Sequence, residues 1–462
     1  MTESKVNSRE LIVTMLLSIN NGEEYSHILI KNVLDKYDYL EGKEKAFIKN
    51  VTEGSMERRI ELDYIIDSFS KTPVKKMKPF IRELLRMSVY QLMFLDKVPA
   101  SAVINEAVKL AKKKGFTGLS GFVNGVLRGI ERGKNDIKYP SKDKEPLKAR
   151  SIEYSMPEWI IEELDSYIGE EKTDKVLSAF LLPRPIVIRF SNALSLDEIK
   201  KHVKAMEEAG AKVSKQAYGD RIYTLTHAGS IAKLSGFSDG AFAIQDVSSQ
   251  IAVQASGIKE GNTVIDVCAA PGGKSVFAAE LAGETGKVIA RDLTAYKTSL
   301  INENVSRMKL GNVSVEEWDA TVLDESRIGT ADVVIADLPC MGFGVIGRKR
   351  DIKYKVTKEQ LDEVAALQKN ILDVVSKYVK PGGVLMFSTC SISAKENKGN
   401  ADYIESNLGF KGEDITPFIN EELLKDIKAC GGLDDLKRGR LQLLPGIFDS
   451  DGFFLTRWKK QI

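Results

Sequence analysis

The chain is 462 residues long, several times the roughly 150 residues of a common domain, so more than one domain with its own core is expected. Its cysteines, at 268, 340, 390 and 430, are too few for a disulfide framework, and with three histidines and no CxxC pair no metal site is expected. The net charge of +2 hides an asymmetry: residues 1–140 carry 24 Lys and Arg against 18 Asp and Glu, which suits an anionic partner such as RNA or a plain solvated lysine surface.

The first residues, MTESKVNSRE, are polar, and no apolar run approaches the roughly 20 residues needed to span a bilayer. A cytoplasmic protein without signal peptide or membrane anchor is expected, and a monomer. Leu11, Ile12, Met15, Leu16 and Ile19 then recur at helical spacing, as do Phe80, Ile81, Leu84, Leu85 and Val89. Val103, Ile104, Ala107, Val108 and Ala111 predict a helix after Pro99. Phe122, Val123, Val126, Leu127 and Ile130 predict another after the glycine-rich stretch 115–121. Residues 1–135 therefore read as an all-helical domain.

Residues 134–148 are polar, hold Pro140 and Pro146, and read as a linker. A second module is expected over 150–240, where the alternating run IVIRFS, a polar helix from Leu196 to Glu208 and short strands near Lys212 and Ile222 indicate a small α+β fold. From 241 to 462 β-rich and helical runs alternate: TVIDVC, KSVFAAELA, KVIARD, a helix to Met308, NVSVEEWDA, ADVVIADLPC, a long helix near 359–379, and GGVLMFSTCS. This order predicts an α/β, Rossmann-like domain with a parallel sheet, whose ligands bind beyond the carboxyl ends of the strands.

Those strand ends carry the chemistry. The first closes in Asp266, Val267, Cys268, Ala269, Ala270, Pro271, Gly272, Gly273, Lys274 and Ser275, small residues ahead of a helix N-terminus that suit a nucleotide-like cofactor. It is not a phosphate-binding P-loop, because Cys268 stands where that motif has its first glycine. The second strand ends at Asp292, placed to accept hydrogen bonds from a ribose. The third leads to Asp319 and the fourth to Asp337, Leu338, Pro339 and Cys340. Cys390 closes the next strand, so two thiols should share one cleft with the acids. A lone cysteine is more often an inert buried residue, and Cys268 and Cys430 fit that description; two at neighbouring strand ends do not.

These residues resemble the RsmB (Sun/Fmu) family of small-subunit ribosomal RNA cytosine-C5 methyltransferases. DVCAAPGGKS is similar to the family's cofactor loop, DLPC to its fourth motif and STCS to its sixth; AIQDVSSQ at 243–250, LLPG and DGFFLTRW also fit. The stretch VPASAVINEAVKLAKKKGFTGLSGFVNGVLRGI resembles a NusB-like RNA-binding domain, and 150–240 would be the RNA-recognition-like module before the catalytic domain. The resemblance implies S-adenosylmethionine as cofactor, bound by Cys268 to Lys274, Asp292, Asp319 and Asp337, and small-subunit ribosomal RNA as substrate. It implies Cys390 as nucleophile, Cys340 in product release and Asp337 beside the target base. Chemistry alone permits the two cysteines to exchange roles.

Leu338 and the pair Met341, Gly342 depart from the family's usual Ala after the aspartate and Ser or Thr, then Gly, after the cysteine. A reshaped target pocket is expected. Because carbon 5 of cytosine is a weak nucleophile, adding a thiolate at carbon 6 makes it enamine-like, which explains why a cysteine is needed. The base must also be unstacked. The basic run Arg348, Lys349, Arg350 after the Cys340 loop reads as a phosphate contact. Two other readings are a tRNA cytosine-C5 methyltransferase and a non-catalytic RNA-binding assembly factor. Both cysteines together with all four acidic strand ends argue against the latter.

Overall fold

Asn7 starts the first helix, Ser8–Asn20, by accepting from the Glu10 N–H at 3.0 Å, and its apolar stripe turns inward, burying Ile12, Val13, Met15, Leu16 and Ile19. The computed structural model describes residues 6–22 and 24–462, so half of the polar opening stretch, residues 1–5, lies outside the described residues. Two units emerge, one holding the chain to Leu181 together with Ile346–Val356, the other holding Leu182–Val345 and Thr357–Ile462.

The first unit is helical throughout its described residues. The helix Pro79–Phe94 runs through its middle with Ile81, Leu84, Leu85 and Val89 buried, and Phe80 stacks on Phe116 at 5.3 Å between ring centroids. Ala100–Lys113 and Ser120–Gly133 bury the predicted stripes Val103, Ile104, Ala107, Ala111 and Val123, Val126, Leu127, Ile130. One boundary differs from the sequence reading. The helices Pro146–Glu153, Glu158–Ile168 and Glu170–Phe180, expected to open the second module, belong with this unit. Arg150, with its nearly buried guanidinium, pairs with Asp165 at 2.6 Å and Asp174 at 2.7 Å and so joins the three helices to one another, and the Ser155 hydroxyl between the first two accepts the Ile60 N–H at 2.9 Å, which ties them to the helices before.

The segment Ile346–Val356, though far along the chain, is built into the same unit. Arg350 pairs with Glu53 at 3.0 Å and Glu57 at 2.8 Å, and Asp351 accepts from the Ser26 N–H at 3.1 Å and its hydroxyl at 2.6 Å. The Lys353 ammonium donates to the Glu57 carbonyl at 2.8 Å, and burial brings its pKa down to about 7. Arg350 therefore anchors this segment, and Lys349 is the exposed member of the basic run. Changing Arg350 to Ala leaves two carboxylates facing each other. We expect a loss of about 2 kcal/mol in thermal unfolding. The salt slope of RNA binding should stay unchanged, and a slope shallower by about one would return Arg350 to the RNA interface.

The second unit begins with a four-stranded antiparallel sheet: β1 Ile186–Phe190, β2 Lys212–Lys215, β3 Ile222–Thr226 and β4 Phe242–Ile244, in the order β2-β3-β1-β4. Its helix Leu196–Glu208 is started by a Ser195 and Glu198 capping box, the polar helix seen in the sequence. The main sheet follows with β5 Thr263–Asp266, β6 Lys287–Asp292, β7 Val313–Glu317, β8 Ala331–Asp337, β9 Val379–Thr389, β10 Phe410–Gly412, β11 Arg440–Leu443 and β12 Phe453–Lys460. Its order is β10-β12-β9-β8-β5-β6-β7, with β11 alongside β12.

β5 to β9 are parallel, as the alternation of runs required, and β12 inserts antiparallel between β9 and β10 to make the sheet mixed. The strand order reverses between β5 and β8, where such sheets open a crevice at their carboxyl ends. Asp266, Asp337 and Cys340 therefore sit at or beside the switch point. Among the described residues no helix is long and apolar enough to cross a membrane.

Candidate active site

From the end of β5 the chain turns through 267–272 into the helix Gly273–Ala282. Gly272 has φ +105°, and a side chain there would also stand 3.3 Å from the Ile301 backbone, so this turn needs a glycine. The turn lines a cavity of about 180 Å³ whose wall includes Cys268, Ala269, Ala270, Pro271, Gly273, Lys274, Asp266 and Asp337. Ile244, Gln245, Asp246 and Ser249 complete it. These four were within the quoted AIQDVSSQ, yet nothing in their types marked them as pocket wall. A larger cleft, of about 1230 Å³, lies at the opposite edge of the sheet, lined by the first residues of β6 and β7, Lys287 and Val313, and holds none of the predicted site residues.

Asp266 is fully buried; Ser275 donates to Oδ2 at 2.6 Å while Oδ1 has no partner, and burial pushes its pKa up to about 7. Asp292, at the end of β6, accepts the Ala270 N–H on Oδ2 at 2.9 Å and the Leu293 N–H on Oδ1 at 2.8 Å, with Lys297 also on Oδ1 at 2.9 Å. It thus fastens the cofactor-type loop to the second strand. Asp319 lies two residues beyond β7, is exposed, and accepts from the Thr321 N–H and hydroxyl at 2.9 and 2.7 Å, which holds its carboxyl below the usual range. Neither Asp292 nor Asp319 lines the 180 Å³ cavity. Burial raises the Cys268 thiol, keeping it neutral.

Asp337 is the meeting point. Its Oδ2 accepts from the Lys274 ammonium at 2.7 Å and its Oδ1 from the Ser388 hydroxyl at 2.7 Å, so one carboxylate joins the helix after β5, β8 and β9. Burial alone would lower the lysine's pKa; the Asp337 charge outweighs it and holds the ammonium above its ordinary value. Cys340 and Cys390, ending neighbouring parallel strands, bring their sulfurs to 3.2 Å. The hydrogen bond with Cys390, then burial, raises the Cys340 thiol well above the ordinary thiol range, so Cys340 rests protonated.

The sequence reading missed the residues that hold this pair. Gln368, Glu396, Asn397 and Asn400 are all fully buried and converge behind the two cysteine loops. Among the described residues no group of three or more His, Cys, Asp or Glu converges on a metal position.

Known proteins bear on this arrangement at both ends of the chain. Residues 6–132 match the family described as the NusB family, and residues 253–459 match the family described as 16S rRNA methyltransferase RsmB/F. A Bacillus subtilis protein named probable ribosomal RNA small subunit methyltransferase B is 34% identical over 99% of both chains. A Synechocystis protein of the same name is 29% identical over 98% of this chain and 100% of its own. Among solved structures, PH0851 overlays with a TM-score of 0.79 at 23% identity over 99% of each chain. NSun6 from Pyrococcus horikoshii, crystallised with SFG, overlays with a TM-score of 0.57 at 20% identity over 66% of this chain and 98% of its own.

The cofactor is S-adenosylmethionine, and the site suits it: a small-residue turn at a helix N-terminus, a cavity beside it, and the unpartnered Asp266 Oδ1 in its wall. A NusB-like helical domain precedes a Rossmann-like methyltransferase domain, as the sequence implied. This chain belongs to the RsmB/F family of S-adenosylmethionine-dependent methyltransferases acting on small-subunit ribosomal RNA.

Proposed function

We propose that the chain methylates carbon 5 of a specific cytosine in 16S ribosomal RNA through a covalent bond between Cys390 and the base. The observation that carries this reading is the thiol pair at 3.2 Å, beside an Asp337 already oriented by Lys274 and Ser388. The Cys390 thiolate bonds to carbon 6, and the displaced electron pair makes carbon 5 nucleophilic. Bound S-adenosylmethionine supplies an electrophilic methyl group. A base then takes the carbon 5 proton, the electron pair returns to the ring and the carbon–sulfur bond breaks. Cys340, next to the leaving sulfur, assists that release.

Cys268 to Lys274, Asp292, Asp319 and Asp337 are the proposed cofactor contacts. Asp292 Oδ2 takes one protein hydrogen bond and keeps a lone pair for a ribose hydroxyl. Lys349 and Arg348 remain proposed phosphate contacts, whereas Arg350 is committed to Glu53 and Glu57. The test is transfer of label from S-adenosylmethionine to 16S ribosomal RNA and, in parallel, to tRNA, followed by digestion to nucleosides. The expected result is label in 5-methylcytidine from the ribosomal RNA alone. Label in tRNA would favour the transfer-RNA reading, and no transfer to free RNA or small subunits would favour a binding factor.

A further inference from the structure

We propose that Glu396 is a positioning residue that fixes the separation of the two cysteine thiols. This rests on the covalent mechanism above for its purpose, but not for its geometry. The Glu396 carboxylate is completely buried. Its Oε1 accepts the N–H of Met341, the residue after Cys340, at 2.8 Å, and its Oε2 accepts the hydroxyl of Ser391, the residue after Cys390. One rigid, planar group therefore holds one cysteine loop on each oxygen. Hydrogen bonds made in the interior, away from water, are electrostatically stronger than the same bonds in water.

The neighbours complete the bracket. Gln368 donates through Nε2 to Glu396 Oε1 at 3.2 Å and to the carbonyl of Pro339 at 2.7 Å, so Cys340 is held on both flanks. Asn397 accepts from the Thr389 hydroxyl at 2.6 Å and donates to the Ser391 carbonyl at 3.0 Å, so Cys390 is held on both flanks as well. Asn400 donates to Gln368 Oε1 at 2.6 Å and to the Glu396 carbonyl at 2.8 Å, tying the two brackets together. None of these side chains lines the cofactor cavity. Removing the carboxylate should therefore disturb the thiols and leave cofactor binding intact.

The amide of Glu396→Gln keeps an oxygen for the Met341 N–H, and the Ser391 hydroxyl can turn to accept from its NH₂. Glu396→Ala loses both loops. The thiol separation is read directly with phenylarsine oxide, whose arsenic exchanges its oxygen for two thiol sulfurs with release of water and no change of oxidation state. Capture needs two sulfurs held close together. The expected result for Glu396→Ala is a tenfold or greater loss of bidentate capture and a fall in kcat of about 100-fold, the cost of misplacing a reacting group by about 1 Å. The affinity for S-adenosylhomocysteine should stay within about twofold. Glu396→Gln should recover capture and most of kcat, and Ser391→Ala, the gentler variant, should show a partial loss of both.

Wild-type capture and kcat in Glu396→Ala and Ser391→Ala would overturn the proposal. So would a loss of S-adenosylhomocysteine affinity that parallels the loss of kcat, because a merely structural role predicts it. If the wild type methylates no RNA, the proposed function fails while the arsenical still decides whether the thiols are clamped.

Discussion

Changing Cys390 to Ala should abolish both methyl transfer and the covalent RNA adduct, whereas Cys340→Ala should leave an adduct that survives a denaturing gel. With the nucleophile gone, nothing adds to carbon 6 and carbon 5 stays unreactive, so a fall of at least about 10⁴-fold is expected. With Cys340 gone, addition and transfer proceed but release slows, so intermediate accumulates during a single turnover. The geometry sharpens the test because the sulfurs are only 3.2 Å apart and either could reach the same base. Adduct accumulating in Cys390→Ala instead would exchange the two roles, and full transfer by Cys390→Ala would end the covalent assignment for that residue.

Lys274→Met should cost about 3 kcal/mol of stability near neutral pH and lower methyl transfer by roughly 10²- to 10³-fold. The substitution keeps the aliphatic length but leaves Asp337 and the nearby buried Asp266 without the ammonium, which is 11% exposed and 2.7 Å from Asp337. The sign of the pH dependence follows from Asp266. Burial raises its folded pKa to about 7, above the unfolded carboxylate value near 4. The folded state therefore binds more protons than the unfolded one in between. That contribution to stability is complete below about 4 and is lost as pH rises through about 7. Without Lys274 the loss at the upper end deepens, so the variant's deficit against wild type should be larger at pH 8 than at pH 5. Equal deficits at both would show that the protonation of Asp266 has no part in the role of Lys274. Adding Asp337→Asn should recover stability at pH 8 without recovering transfer.

The convergence of Asp266, Asp337, Cys340 and Cys390 was legible because each lies within a few residues of the end of its own strand; Asp292 and Asp319 follow strands in the same way, yet neither lines the cavity. Asp337, Cys340 and Cys390 could be placed in one cleft from the alternation of runs alone, and β8 and β9 do lie side by side. The clamp was not legible: Gln368 sits in the middle of the helix Lys358–Val375, and Glu396 follows the STCS motif as one more polar residue. Their role exists only where the chain returns to itself. Arg350 shows the same limit from the other side. A basic run looks like a phosphate contact until Glu53 and Glu57, about 300 residues away, are brought beside it. Likewise, DGFFLTRW was recognisable as a closing motif, but nothing local said that β12 would enter the sheet antiparallel between β9 and β10.

The return of Ile346–Val356 to the helical unit means that the polypeptide enters that unit twice, with the Cys340 strand in the interval. No single cut along the sequence separates the two halves. A fragment beginning after Leu181 would carry Asp351 without Ser26 and Lys353 without the Glu57 carbonyl, so the hydrogen bonds and packing that hold this segment in place would be lost. The NusB-like region is therefore not an appended tag that a minimal enzyme could shed. It supplies the hydrogen-bonding partners of Arg350, Asp351, Lys353 and Lys355 in the segment just beyond Cys340, so a cut made to remove it also unfastens the chain that follows the catalytic loop.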